Sequence, residues 1–234
     1  MSPTSCGRFR GACRSKPLRP AWSPTPDSWP GWLHQTGKNH VLRVSGGEAS
    51  RLSWHHRLAD VRTQAGSLAR RSDRLSAVTL ILLEFALAEA EAAPPAIGLP
   101  HTHINGDLRL CHVLFTGDRV TGLLDIDQAT WAERLVDVCY GAVSAPAPEG
   151  GAFLTFAEIQ TFLRAYDRAA PFTPDEENSL KSGLLAALVE LLGDLVGFLD
   201  AGARNVTPED LERAEGLFAE VAQAPSASLL ERGR

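Results

Sequence analysis

INGDLRLCHVLFTGDRVTGLLDIDQATW, residues 104–131, is where polar residues interrupt an otherwise apolar pattern at spacings that packing alone does not need. Asp107 follows a glycine and precedes a leucine, and His112 lies five residues on. The runs V-L-F and V-T-G-L-L flank T-G-D-R, the composition of a short β-hairpin, whose exit delivers Asp125 and Asp127. A hairpin with acids at its turn accounts for T-G-D-R, but for neither Asp107 nor the D-x-D that follows. Two carboxylates and a nitrogen ligand spaced in this way can converge on one metal–nucleotide complex.

Phosphoryl transfer needs a carboxylate to accept a hydroxyl proton and further ligands to hold metal ions on the phosphates. The protein-kinase signature H-R-D-L-x-x-x-N followed by D-F-G sets out those roles in order. Here N-G-D-L-R-L-C-H followed by D-I-D occupies the same frame. The stretch resembles the aminoglycoside phosphotransferase and choline-kinase-like branch of the protein-kinase-like fold, whose members read H-G-D-(L/F)-H-x-x-N-(V/I)-L and then (I/L)-D-(F/W)-(D/E/G). The resemblance implies Asp107 as the catalytic Asp and Asp125 as a metal-binding Asp, with Asp127 supporting it. It puts His112 where the family usually has a metal-binding Asn, and Asn105 where it usually has His. Asp137, in L-V-D-V-C, matches a family Asp that braces the catalytic loop from the following helix. An Asn carbonyl offers Mg²⁺ a hard oxygen, whereas an imidazole nitrogen suits Mn²⁺ or Zn²⁺ better, so His112 is expected to alter the metal preference.

Working outward, a 44% hydrophobic content over 234 residues suits one or two soluble domains with a sizeable core. The net charge of −5 hides an asymmetry: residues 1–80 hold 13 Lys/Arg against 4 Asp/Glu, and residues 81–234 hold 10 against 24. Basic termini can neutralise nucleic-acid phosphates. Residues 1–35, however, combine Pro, Ser, Gly, Arg and three Trp without periodicity, so an extension that buries little is expected there, and no nucleic-acid partner. GWLHQTGK (31–38) fails as a phosphate-binding loop, because its first Gly stands one residue too far away and Asn39 replaces the required Ser/Thr. In HVLRV (40–44) the family resemblance implies Arg43 as a nucleotide-phosphate contact, on a strand of the form V-L-(K/R). The Gly-rich strand pair that should precede it is missing. No apolar run follows Met1, the apolar segment 183–199 is broken by Glu190 and Asp194, and the four Cys show no C-x-x-C spacing. These features favour a cytoplasmic chain with reduced thiols and no membrane span.

From Ser53 the spacing becomes helical through Trp54, Leu58, Val61 and Leu68, then, after a cap at Ser72 or Asp73, through Leu75, Val78, Ile81, Leu82 and Phe85 as far as the prolines at 94 and 95. WHHRLADV is similar to a family helix containing L-H-x-L-L-A. LPHTHI reads as a strand, in which His101 and His103 either join His112 as metal ligands or are simply hydrogen-bonded. Further helices are expected over about 131–146, 154–169, 174–202 after Thr173-Pro174, and 208–222 after Thr207-Pro208. Thr207 reads better as a cap than as part of a glycosylation sequon.

The fold class expected is therefore α+β, mainly α. The resemblance makes residues 53–234 a protein-kinase-like large lobe with a catalytic loop and a short hairpin, and residues 1–52 a poorly ordered or degenerate segment, the N-terminal lobe being truncated or absent. It implies ATP- or GTP-dependent phosphorylation of a hydroxyl on a cationic small molecule, an aminoglycoside or amino alcohol, with Mg²⁺ or Mn²⁺. The isolated chain is nonetheless expected to show little or no ATP-dependent turnover; the alternative is a non-catalytic remnant or binding module of the same fold. Asp107, His112 and Asp125 are expected to face one cleft. The oligomeric state is open.

Overall fold

In the computed structural model, which describes residues 53–93, 98–116, 119–144, 155–203 and 206–230, the apolar spacing after Ser53 becomes helix α1 (Trp54–Ala69). Arg43, the GWLHQTGK stretch, Cys6 and Cys13 lie outside the described residues. The Ser53 hydroxyl accepts from the His56 N–H at 3.3 Å and so satisfies one of the helix's unpaired donors. Helix α2 (Ala77–Ala92) starts later than its sequence suggests: Ser72–Arg74 form a 3₁₀ turn, and Ser76 is the cap, its hydroxyl accepting from the Thr79 N–H at 3.1 Å. The reason is tertiary. Leu75 is buried ahead of the helix, and the Ser76 N–H is taken by the Glu215 carboxylate at 2.7 Å.

Four short strands follow in two separate antiparallel pairs. Strand β1 (His101–Ile104) pairs with β4 (Thr130–Glu133), placing His103 opposite Trp131, and β2 (Val113–Thr116) forms the expected hairpin with β3 (Arg119–Leu123). The expected helix from residue 131 is corrected by β4, and α3 runs over Arg134–Ser144 only. Strand β1 needs a ladder partner, and residues 130–132 supply one with the period of a strand, Thr130 and Ala132 inward and Trp131 46% exposed. The His103 and Trp131 rings meet edge to face at 5.0 Å.

Helices α4 (Phe156–Ala169), α5 (Pro174–Asp200) and α6 (Pro208–Gln223) each begin with a reciprocal capping box, formed by Thr155 with Glu158, Thr173 with Glu176, and Thr207 with Asp210. A 3₁₀ turn (Ser226–Leu230), not foreseen from the sequence, buries Leu229. Helix α5 is long and apolar enough to cross a membrane by length and composition. In this fold it is the central core helix, burying Leu184, Leu185, Leu188, Val189, Leu192 and Val196 against α1, α2, α3 and α6. Each such side chain contributes about 1.5–3 kcal/mol on burial. Gly183 lets the helices close, since a Cβ there would lie 2.6 Å from Cys139 Sγ and 2.8 Å from the Trp54 ring. Arg134 and Glu176, 2% and 0% exposed, pair bidentately at 2.7 and 2.6 Å and tie the start of α3 to the start of α5. The described residues are mainly helical with small antiparallel sheets, the α+β class expected.

Candidate active site

Strand β1 ends at Ile104, and the chain must then turn away from the sheet. Gly106 makes the turn at φ +84°, a region open to glycine without Cβ strain. The two backbone N–H groups exposed by that turn are both taken by Asp137, 1% exposed in the first turn of α3: Asn105 N–H donates to Oδ2 at 2.6 Å and Gly106 N–H to Oδ1 at 2.8 Å. Buried charge persists only where such bonds hold it. Asn105 joins the turn to the hairpin exit, its Nδ2 donating to the Asp125 carbonyl at 3.1 Å while its Oδ1 accepts from the Asp107 N–H at 3.1 Å. Asp125 itself sits at φ +56°, a conformation that Asp tolerates better than most residues.

The turn places Asp107, half-buried, beside His112, which a 3₁₀ turn (Leu110–His112) carries back over it. His112 Nδ1 lies 3.0 Å from the Asp107 carbonyl oxygen. A carbonyl can only accept, so Nδ1 carries the hydrogen and the neutral ring's lone pair is at Nε2. That nitrogen is 3.6 Å from Asp125 Oδ2, and Nδ1 is 4.0 Å from Asp107 Oδ2. One ligand atom each from Asp107, His112 and Asp125 thus lie within 4.8 Å of one another. Ligands at about 2.0–2.2 Å from one cation stand no more than about 4.4 Å apart, so these three need draw in only slightly. Two carboxylate oxygens and an imidazole nitrogen fit a divalent cation. The Asp125 carboxyl is pushed above the usual range, first by its hydrogen bond with Asp127, then by burial and by the Asp127 charge, with His112 opposing.

Asp107 has a second neighbour. Arg109 Nε donates to its Oδ1 at 2.7 Å, and Arg109 Nη2 donates to the Tyr140 hydroxyl. Burial pushes the Tyr140 hydroxyl well above its ordinary value, so it stays an O–H. Arg57 of α1 donates to Glu190 of α5 and, at 3.4 Å, to the Gly106 carbonyl. Asp194, one turn beyond Glu190, has its carboxyl raised, first by burial and then by Glu190 and Asp107, against Arg109 and Arg57. Arg57, Arg109, Glu190 and Asp194 have no role at the site in the sequence reading. The four-residue spacing of Glu190 and Asp194 on an otherwise apolar helix was a signal that both face one way. His101 and His103 do not join the three-residue group: His101 contacts the Leu99 carbonyl at 3.0 Å and Glu133 at 3.6 Å, and His103 packs on Trp131.

Residues 19–172, about two thirds of the chain, match the phosphotransferase enzyme family. The chain belongs to that family. A comparison with curated proteins gives no match. The phosphotransferase match takes in Asp107, His112, Asp125 and Asp137 and ends before α5, so Glu190 and Asp194 lie beyond it.

Proposed function

We propose that this phosphotransferase-family chain moves the γ-phosphoryl group of ATP or GTP to a hydroxyl of a cationic small molecule of aminoglycoside or amino-alcohol type. The described residues would be the large lobe of a protein-kinase-like architecture. The observation that carries the reading is the convergence of Asp107, His112 and Asp125 on one point. Asp125 and His112 Nε2 would hold the cation, which when bound neutralises charge on the phosphates. Asp107 would accept the hydroxyl proton at Oδ2, its Oδ1 being engaged by Arg109. Asn105 and Asp137 would hold the loop in register. Asp194, whose carboxyl feels the charges of both Glu190 and Asp107, favours a cationic acceptor. Arg43, the proposed phosphate contact, lies outside the described residues.

A second reading, a non-catalytic binding module of the same fold, is favoured by the Arg109 ion pair that already occupies part of the Asp107 carboxylate. Calorimetric titration with ATP and GTP, with and without Mg²⁺ or Mn²⁺, followed by a coupled assay across aminoglycosides and amino alcohols, separates the two. Turnover abolished by Asp107→Asn supports transfer. Metal-dependent nucleotide binding with no turnover supports the module, and absence of both overturns the site.

A further inference from the structure

The side chain of Arg57 carries helix α1 to the loop that bears Asp107. Arg57, in the first turn of α1, donates from Nη1 to Glu190 of α5, 133 residues away in sequence, and from Nη2 to the Gly106 carbonyl at 3.4 Å. Its guanidinium carbon stands 5.5 Å from the centroid of the Tyr140 ring. The same ring takes the Arg109 guanidinium at 5.5 Å, and Arg109 holds Asp107. Arg57 therefore bears on Asp107 by two routes, through the peptide that precedes it and through the Tyr140–Arg109 stack.

Among the described residues no acceptor reaches the buried Nε of Arg57, nor the buried Nε1 of Trp54, and both residues line the small cavity that also borders Tyr140, Gly183 and Glu190. The two terminal nitrogens of Arg57 reach a loop carbonyl and a carboxylate on the central helix.

We propose that Arg57 is a positioning residue, set by Glu190, that fixes the Gly106–Asp107 peptide and hence the direction of the Asp107 carboxylate. The proposal rests on the reading of Asp107, His112 and Asp125 as the site, but its first test does not. Amide hydrogen exchange in the full chain reads the loop directly. In Arg57→Met, which keeps most of the apolar stem, exchange at Gly106 and Asp107 should quicken by about tenfold, the loss of one hydrogen bond to a charged group, while amides in α5 keep their protection. Arg57→Lys, with one ammonium in place of a fork, should fall between the two. Glu190→Gln leaves Arg57 in place and should loosen the loop in the same direction by less, which keeps the test decisive if Arg57→Met folds poorly. Unchanged exchange at Gly106 and Asp107 in both Arg57→Met and Glu190→Gln overturns the proposal.

Mn²⁺ titration by electron paramagnetic resonance gives an independent sign. Deleting a positive charge near the site strengthens cation binding by charge alone, whereas displacing the Asp107 carboxylate, which stands within 4.8 Å of the His112 and Asp125 ligand atoms, takes negative charge away from the cation and weakens its binding. Weaker Mn²⁺ binding in Arg57→Met, by about threefold or more on the same energetic grounds, supports positioning, and tighter binding overturns it. A wild-type chain that binds no Mn²⁺ overturns the metal reading above and leaves loop exchange to decide the role of Arg57.

Discussion

His112 is held by the backbone of the residue it serves: Nδ1–H bonds to the Asp107 carbonyl, so the ring presents Nε2 to Asp125. A fixed nitrogen donor favours Mn²⁺ or Zn²⁺ over Mg²⁺. His112→Asn should therefore shift calorimetric metal preference from Mn²⁺ toward Mg²⁺, and an unchanged preference assigns His112 to holding the loop. Asp125 makes a pH prediction. Its carboxyl is raised by the hydrogen bond with Asp127, so it keeps its proton to a higher pH than an ordinary Asp, and a cation must await its release. Mn²⁺ affinity should fall as pH drops through this raised value, and Asp127→Asn should move the fall to lower pH, as read from titrations across the acid range. Asp107, His112 and Asp125 were legible because each sits in a local motif. Arg109 was not, because an Arg after Asp-Leu looks like any solvated charge, and the Tyr140 hydroxyl that anchors it stands 31 residues on.

At the scale of elements, one buried ion pair ties the start of α3 to the start of α5. Glu176 does two things with one carboxylate: it accepts twice from Arg134, and it closes the capping box of α5 by accepting from the Thr173 N–H at 2.8 Å. Glu176→Gln leaves the Arg134 charge buried without a counter-charge. Such a loss costs about 3–5 kcal/mol, which urea unfolding should show as a lower midpoint at an unchanged slope. The starts of α5 and α6 were legible from Thr-Pro, where a side chain and a fixed φ act within three residues. Strand β4 was not. W-A-E-R-L reads equally well as helix, and only the unpaired edge of β1, some thirty residues earlier, turns it into strand.

Across the whole molecule, α1, α3 and α5 meet at Gly183, and their closeness is what lets Arg57 span from Glu190 to the Gly106 carbonyl. Gly183→Ala should destabilise the fold by about 1–3 kcal/mol by overpacking, measured by urea titration, since its new methyl meets both Cys139 and Trp54. The apolar spacing announced this core and its helices; it did not announce which faces Glu190 and Asp194 would look onto, because that depends on how α5 docks. The capping boxes bear on how the chain assembles. Thr155, Thr173 and Thr207 each start a helix with a partner three residues away, whereas the loop waits on Asp137, 31 and 32 residues distant, and on Glu190, 133 residues from Arg57. Local pairs close sooner than distant ones. The caps are therefore expected to close ahead of the loop around Asp107, whose Arg57–Glu190 anchor cannot form until the chain has been made as far as α5.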